Sequence, residues 1–229
     1  MRYFGGKARL GKQIAQRINE LCGVIENYYE PFCGMCSVME HIEAHHRHGS
    51  DIQPDLILLL QAIMDGWIPP TDISEDEYNN LKISKPSALR GFVGFGCSNS
   101  GKFYGGYARD STNRNYALNA YNGILKKKDR LIGSEFHYLA YTDLKVVDSV
   151  IYCDPPYNNT TGFTVGSFDT SLFWEWVRKL SVNNIVIVSE YNAPNDFQVI
   201  WEREVKTDMN NTHNKKIPRI EKLFSLSFK

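Results

Sequence analysis

Apolar residues recur along this chain with two different periods, and the switches between them outline its elements. In residues 8–22, ARLGKQIAQRINELC, Leu10, Ile14, Ile18 and Leu21 fall at three- and four-residue steps, which predicts an amphipathic helix. Tyr28-Tyr29-Glu30-Pro31-Phe32 follows as a short strand ending in the glycine turn CGMCS. Ser37 then stands where it would cap a helix beginning Val38-Met39-Glu40-His41-Ile42. Gly49-Ser50-Asp51-Ile52 reads as a second strand end, followed by a helix from about 55 to 64. Near the C-terminus, residues 146–153 and 184–189 are apolar and β-branched, as buried strands are, with a helix over 172–180 between them. Residues 197–205 and 220–228 alternate apolar and polar positions, the pattern of a closing antiparallel pair.

Residues 66–141 interrupt this alternation. Pro69-Pro70, many aromatics and many glycines dominate there, with one polar helical stretch over about 114–130. Strand–helix alternation broken once predicts a doubly wound α/β sheet from residues 1–65 and 142–229, with 66–141 as an inserted lobe. A chain of 229 residues suffices for one core and such a lobe.

Charge changes the picture little. Lysine plus arginine and aspartate plus glutamate both number 26, so net charge points to no partner. Two local clusters, Lys126-Lys127-Lys128 with Arg130 and Lys215-Lys216 with Arg219, are either solvated faces or the basic lining of one groove. No apolar run is long enough to span a bilayer, and MRYFGGKARLGK lacks the hydrophobic middle of a signal peptide; a soluble cytoplasmic protein is expected. The five cysteines suggest no disulfide framework and are expected as reduced thiols. Cys33-x-x-Cys36 with His41 and His45 spells a zinc pattern if both histidines share one helix face. Those cysteines sit in a turn with other work to do, so no metal is expected.

In doubly wound sheets ligands bind at the C-terminal ends of the strands, near the reversal of strand order. Glu30, Asp51 and Asp154 fall at such ends, and Asp143 shortly precedes the strand that carries Asp154. A strand, a turn with Gly34 and then Asp51 give an acid spaced to hydrogen-bond both hydroxyls of a ribose. The segment IYCDPPY, residues 151–157, is more specific. Pro155 and Pro156 fix φ and present carbonyls without N–H groups. Asp154 and the Pro155 carbonyl together suit the two hydrogens of an exocyclic amine, whose nitrogen lone pair they would localise. Tyr157 offers a ring on which a flipped base stacks. The plain alternative is a proline-rich turn with a capping aspartate. Gly96 to Lys102 nearly spells a phosphate loop, but Phe103 replaces its hydroxyl residue and YGGYARD does not start the required helix.

FGGK, EPFCG, the Asp51 strand end and DPPY occur in this order, with an insert between Asp51 and DPPY. The set resembles the Dam-like (D12-class, α-group) DNA adenine-N6 methyltransferases over nearly the whole chain, and Gly94 to Ser98 with Gly105 to Arg109 looks like the phage-borne version. The resemblance implies a Rossmann-like seven-stranded methyltransferase sheet with its last strand antiparallel, and an inserted, largely helical or loop-like target-recognition lobe. It implies S-adenosylmethionine as cofactor, held by Tyr3, Gly6, Lys7, Pro31, Phe32, Gly34, Asp51, Asp143 and Asp154. Lys7 would meet the methionine carboxylate, Asp51 the ribose and Asp143 the adenine. Asp154, Pro155, Pro156 and Tyr157 become the catalytic tetrapeptide. Double-stranded DNA is the implied partner, with Lys102, Arg109 and Arg114 toward its phosphates, and a companion restriction endonuclease is compatible with the family. Two positions depart from the pattern: Cys36 stands where the family usually has a second glycine, and DIQ replaces the commoner DIN. N4-cytosine or RNA adenine as acceptor, and a lapsed methylase that only binds DNA or a partner subunit, are the alternatives.

Overall fold

The computed structural model describes residues 1, 3–112, 114–156, 168–206 and 218–228. Tyr157, almost all of the glycine- and threonine-rich stretch after it, Lys215 and Lys216 lie outside those residues. The chain divides into two compact units, Met1–Leu144 and Lys145–Lys229.

In the first unit, α1 (Gly11–Cys22) buries Ile14, Ala15 and Ile18, as its periodicity predicts. The Lys7 carbonyl starts it, accepting from the amides of Leu10 (2.9 Å) and Gly11 (2.6 Å). A Cβ on Gly11 would lie 1.9 Å from the Ser37 carbonyl oxygen, so α1 begins pressed against the glycine turn. Strand β1 is Ile25–Glu30, three residues earlier than the aromatic run suggests, because Pro31 cannot donate to a ladder. Strand β2 (Ala44–Asp51) is parallel to β1 and leads into α2 (Pro54–Met64), which buries Leu56, Ile57, Leu59, Leu60 and Ile63.

The helix expected from Ser37 does not form. The segment holds one 3-10 turn, Met39–His41, whose first amide donates to the buried Glu30 carboxylate at 3.1 Å. Eight residues are then drawn into β2, where the parallel ladder outweighs a short local helical preference. His45 therefore lies on a strand while His41 ends the turn, and the shared helix face that the zinc pattern needs is absent.

Within residues 66–141 the structure has three helices, α3 (Glu75–Lys82), α4 (Ala88–Gly96) and α5 (Tyr116–Leu131), and strand β3 (Ser134–Tyr138). Only α5 was legible. A capping box between Ser74 and Glu77 starts α3. Glycine is a poor helix former, yet α4 contains three. A Cβ would meet the Asp55 carbonyl oxygen at 2.3 Å from Gly91, the Phe103 ring at 2.5 Å from Gly94, and Ala120 at 2.6 Å from Gly96. Close approach on three sides, not local propensity, makes this helix. β3 pairs with β2 in parallel, Asp51 facing Tyr138.

In the second unit, β4 (Val150–Cys153) is buried throughout and parallel to β5 (Ile185–Glu190), with α6 (Thr170–Leu180) between them in sequence. The expected strand from 146 starts only at Val150, because Asp148 adopts the left-handed conformation, φ 51°. Asn184 ties this bend down, its side chain accepting from Ser149 N and donating to the carbonyls of Val146 and Leu180. Strands β6 (Gln198–Lys206) and β7 (Pro218–Ser225) form the antiparallel closing pair, and β7 is antiparallel to β5. Among the described residues seven strands follow the order β3-β2-β1-β4-β5-β7-β6 in a mixed sheet, the Rossmann-like α/β arrangement in which β7, the last in sequence, runs antiparallel between β5 and β6. Among the described residues no helix is long and apolar enough to cross a membrane.

Candidate functional site

The candidate site in the first unit gathers at the C-terminal ends of β1 and β2. Leaving β1, the chain turns through Gly34 (φ 46°) and Cys36 (φ 55°), both left-handed. Gly34 N–H donates to Asp51 Oδ2 at 3.2 Å, and Gln53 N–H donates to Oδ1 at 3.0 Å. The half-buried carboxylate is thus held by the turn ahead of it and the helix start behind it. Burial pushes the Asp51 carboxyl up to about 6, against the lowering effect of the Gln53, Gly34 and Ile52 amides.

Tyr3 lies over this turn: a Cβ on Gly34 would come 3.0 Å from its ring. The Tyr3 carbonyl accepts from Gly6 N at 3.2 Å, and its ring centroid is 5.1 Å from that of Phe95. Lys7 is buried at the foot of α1. Pro31 is buried, and Phe32, half-buried, sets its ring 5.2 Å from that of Tyr141. Tyr141 opens the 3-10 turn Tyr141–Asp143, so this contact brings the exposed Asp143 to the neighbourhood of the glycine turn. The expected residues of the N-terminal half therefore converge. Two contributors were not foreseen. Glu30, read as a strand-end acid, fastens the segment behind the turn, and Gln53 both braces Asp51 and caps α2 by accepting from Asp55 N at 3.4 Å. The Gln in DIQ was the available signal for the second.

Cys33 and Cys36 are buried, and the hydrogen bond between their side chains, reinforced by burial, holds the Cys33 thiol well above its ordinary range. Cys33 N–H donates to the Ser50 carbonyl at 3.0 Å, knitting the turn to β2. These thiols are packing groups of the loop.

In the second unit, Asp154 follows the last residue of β4 directly. It is half-buried, Pro155 is buried and Pro156 half-buried. Four buried strand residues and two prolines leave this turn little conformational freedom. A carboxylate and a neighbouring carbonyl on a constrained turn suit a pair of donated N–H hydrogens.

The basic residues of the lobe divide. Arg109 pairs with Glu75, Arg114 pairs with Asp110 at 3.3 Å, and Lys102 is exposed. Arg114 also lines a recess of about 300 Å³ with Asp72, Ile73, Cys97, Tyr107 and Tyr116. Arg90 instead reaches inward to Asp55. In the Lys126–Arg130 cluster, Lys127 and Arg130 both hold Glu40, and Arg47 donates to the carbonyls of Arg130 and Ile132 at the end of α5. Part of that cluster is architecture. The near-phosphate-loop begins at Gly96, where α4 ends, and holds one 3-10 turn, Asn99–Gly101; the next α-helix begins only at Tyr116.

Comparison with known proteins adds an independent line. No curated protein sequence matches this chain. Among solved structures, SMU.472 complexed with SAH shares 11% identity and a TM-score of 0.38, covering 98% of this chain and 54% of that one. This chain thus spans about half the length of that protein. Residues 3–86 match the sequence model of the family described as D12 class N6 adenine-specific DNA methyltransferase. That match contains Tyr3, Lys7, Gly34 and Asp51, and over that segment this chain is similar to the D12 class N6 adenine-specific DNA methyltransferases.

Proposed function

We propose that this chain transfers a methyl group from S-adenosylmethionine to N6 of an adenine flipped out of double-stranded DNA. The observation that carries the reading is the Gly34–Asp51 bond inside the family-matched segment, which holds an acid at a parallel strand end beside a glycine turn. With Gly34 N–H on one oxygen, Gln53 N–H on the other and the Ile52 amide also directed at it, the half-buried carboxylate still has a lone pair to accept from a ribose hydroxyl. The residues fit the cofactor. Lys7 would meet its carboxylate, Gly34 leaves room beneath its methionine part, Asp51 takes the ribose, and Asp143 serves the adenine. When bound, S-adenosylmethionine supplies an electrophilic methyl group on a sulfonium.

On the acceptor side, Asp154 and the Pro155 carbonyl would each accept one N6 hydrogen. The amine then pyramidalises, and its lone pair is freed from the ring for attack. Asp154 is also suited to take the proton that N6 must lose. Pro155 and Pro156 keep these acceptors in a fixed relation, and Tyr157 would stack on the extruded base. The contribution of the chain is positioning and electrostatics. Residues 66–141 would read the DNA, with Lys102, Arg109 and Arg114 at phosphates. Exposed ion pairs are worth about 0–1 kcal/mol, so Glu75 and Asp110 yield their arginines to a phosphate at little cost.

The test is incubation of unmethylated DNA with S-adenosylmethionine and wild-type or Asp154→Ala protein, followed by digestion to nucleosides. Wild type should form N6-methyladenine, and the variant should lose about a hundredfold or more of the rate, as removal of a group acting on developing charge does. Undiminished methylation by the variant, or N4-methylcytosine as sole product, overturns the proposal. Wild type that forms no product and binds no S-adenosylmethionine in calorimetry is a lapsed methylase.

A further inference from the structure

The sheet of the first unit carries a second set of chemistry-bearing side chains. The β2–β3 register places His48 opposite Glu135 and Ser50 opposite His137. Alternate residues of a strand share a face, so His48, Glu135 and His137 project from one side of the sheet. His48 Nδ1 and His137 Nε2 each lie 3.5 Å from the same oxygen, Oε2 of Glu135. One ligand atom from each of the three residues lies within 4.8 Å of the others. Tyr29, opposite His48 on β1, stacks on the His48 ring at 4.5 Å between centroids and 13° between planes, which limits the ring's freedom.

We propose that His48, Glu135 and His137 form a binding site for a divalent transition-metal ion of the zinc class. Zinc bonds of roughly 2.0–2.2 Å in a tetrahedron put ligand atoms about 3.3–3.5 Å apart. Two of the three separations already have that value, and rotation of the half-exposed His137 closes the third. Two imidazoles and a carboxylate suit zinc, cobalt, nickel or copper, whereas magnesium and calcium prefer oxygen ligands throughout. The set bridges β2 and the terminal strand β3, so a bound ion staples that strand to its only neighbour. It would leave water at one or more open positions. A nearby histidine–carboxylate group is weaker: His45 and His46 approach different oxygens of Glu26 at 3.7 Å, and all three are well exposed. Among the described residues they do not complete a three-ligand set.

The test uses the untagged, metal-stripped full chain titrated with Zn²⁺ by calorimetry and with Co²⁺ by visible absorption. One ion per chain is expected. His137→Ala and His48→Asn should each weaken binding by no less than the roughly 10–100-fold that loss of an outer-shell partner costs. The double variant His45→Ala/His46→Ala should bind as wild type does. Zn²⁺ should raise the thermal midpoint of wild type and of that double variant but not of His137→Ala. No binding by wild type, undiminished binding by His137→Ala, or loss confined to the His45/His46 variant overturns the assignment. His137 is 53% exposed, so its variant should fold even if the His48 variant does not.

Discussion

The amide of Gly34 and the carboxylate of Asp51, 3.2 Å apart, join the turn after the first strand to the end of the second. Because the same carboxylate also receives Gln53 N–H, its position is set by backbone rather than by side-chain rotamers alone. An acid held in this way is preorganised for the ribose contact proposed for it, and little ordering is left for a ligand to drive.

If Asp51 takes the ribose as proposed, its raised pKa, about 6, makes cofactor affinity depend on pH. Only the ionised form keeps a lone pair for a ribose hydroxyl, so affinity should rise about tenfold per unit below pH 6 and level off above it. Asp51→Asn should bind more weakly at neutral pH and lose that dependence. The sign for folding is opposite. An acid whose folded pKa lies above its ordinary 3.8 favours the fold at low pH and withdraws up to about 3 kcal/mol as pH rises through 6. Asp51→Asn sheds that penalty but sets its amide NH2 against one of the two backbone donors, so its stability should vary less with pH than that of wild type. Calorimetry from pH 5 to 8 and urea melts at both ends of that range check the two statements.

Cys36 is fully buried with φ 55°, a conformation that a side chain makes costly. Cys36→Gly removes about 1–2 kcal/mol of strain but also a buried thiol, so stability should change by less than about 1 kcal/mol. Cys36→Val places a β-branched residue at positive φ and should cost more than about 2 kcal/mol. Chemical denaturation of the two variants measures the difference directly.

Arg90 lies in the tract expected to face DNA, yet it is a structural residue. Its guanidinium is 2.5 Å from Asp55 Oδ2 and donates to the carbonyls of Leu81 and Lys82, while Ser87 N–H takes the other Asp55 oxygen. With Asp55 only 1% exposed, Arg90→Ala should cost about 3–5 kcal/mol by leaving a buried charge unpaired. Arg109→Ala should leave stability within about 0.5 kcal/mol and lower the salt dependence of DNA binding instead. Thermal melts and DNA titrations at two salt concentrations separate the roles.

Periodicity was informative where an element has one dry face. The helices α1 and α2, the strand β5 and the antiparallel end pair follow directly from it. It failed where contacts from elsewhere decide. The polar β2 is a strand because it is paired, and the glycine-rich α4 is a helix because Asp55, Phe103 and Ala120 crowd it. The missed β3 also hid the His48, Glu135 and His137 group, whose members lie far apart in sequence. Turn residues were easier to place, since turn chemistry is local: Gly34 stands in the left-handed turn after β1 and Asp51 at the end of β2, as their neighbours suggest. Cys36 stood out as a departure in the sequence, and its left-handed backbone gives the physical reason that glycine suits the position.

The bracing of Asp51 does not stop at Gln53. The Gln53 side chain receives the Asp55 amide, and the Asp55 carboxylate receives Arg90, so Gln53 and Asp55 connect Asp51 to α4. If Asp51 holds a ribose as proposed, any partner that prefers one placement of α4 works against, or with, the ligand at Asp51. By thermodynamic reciprocity the two affinities must then shift by one common factor, whichever ligand arrives first.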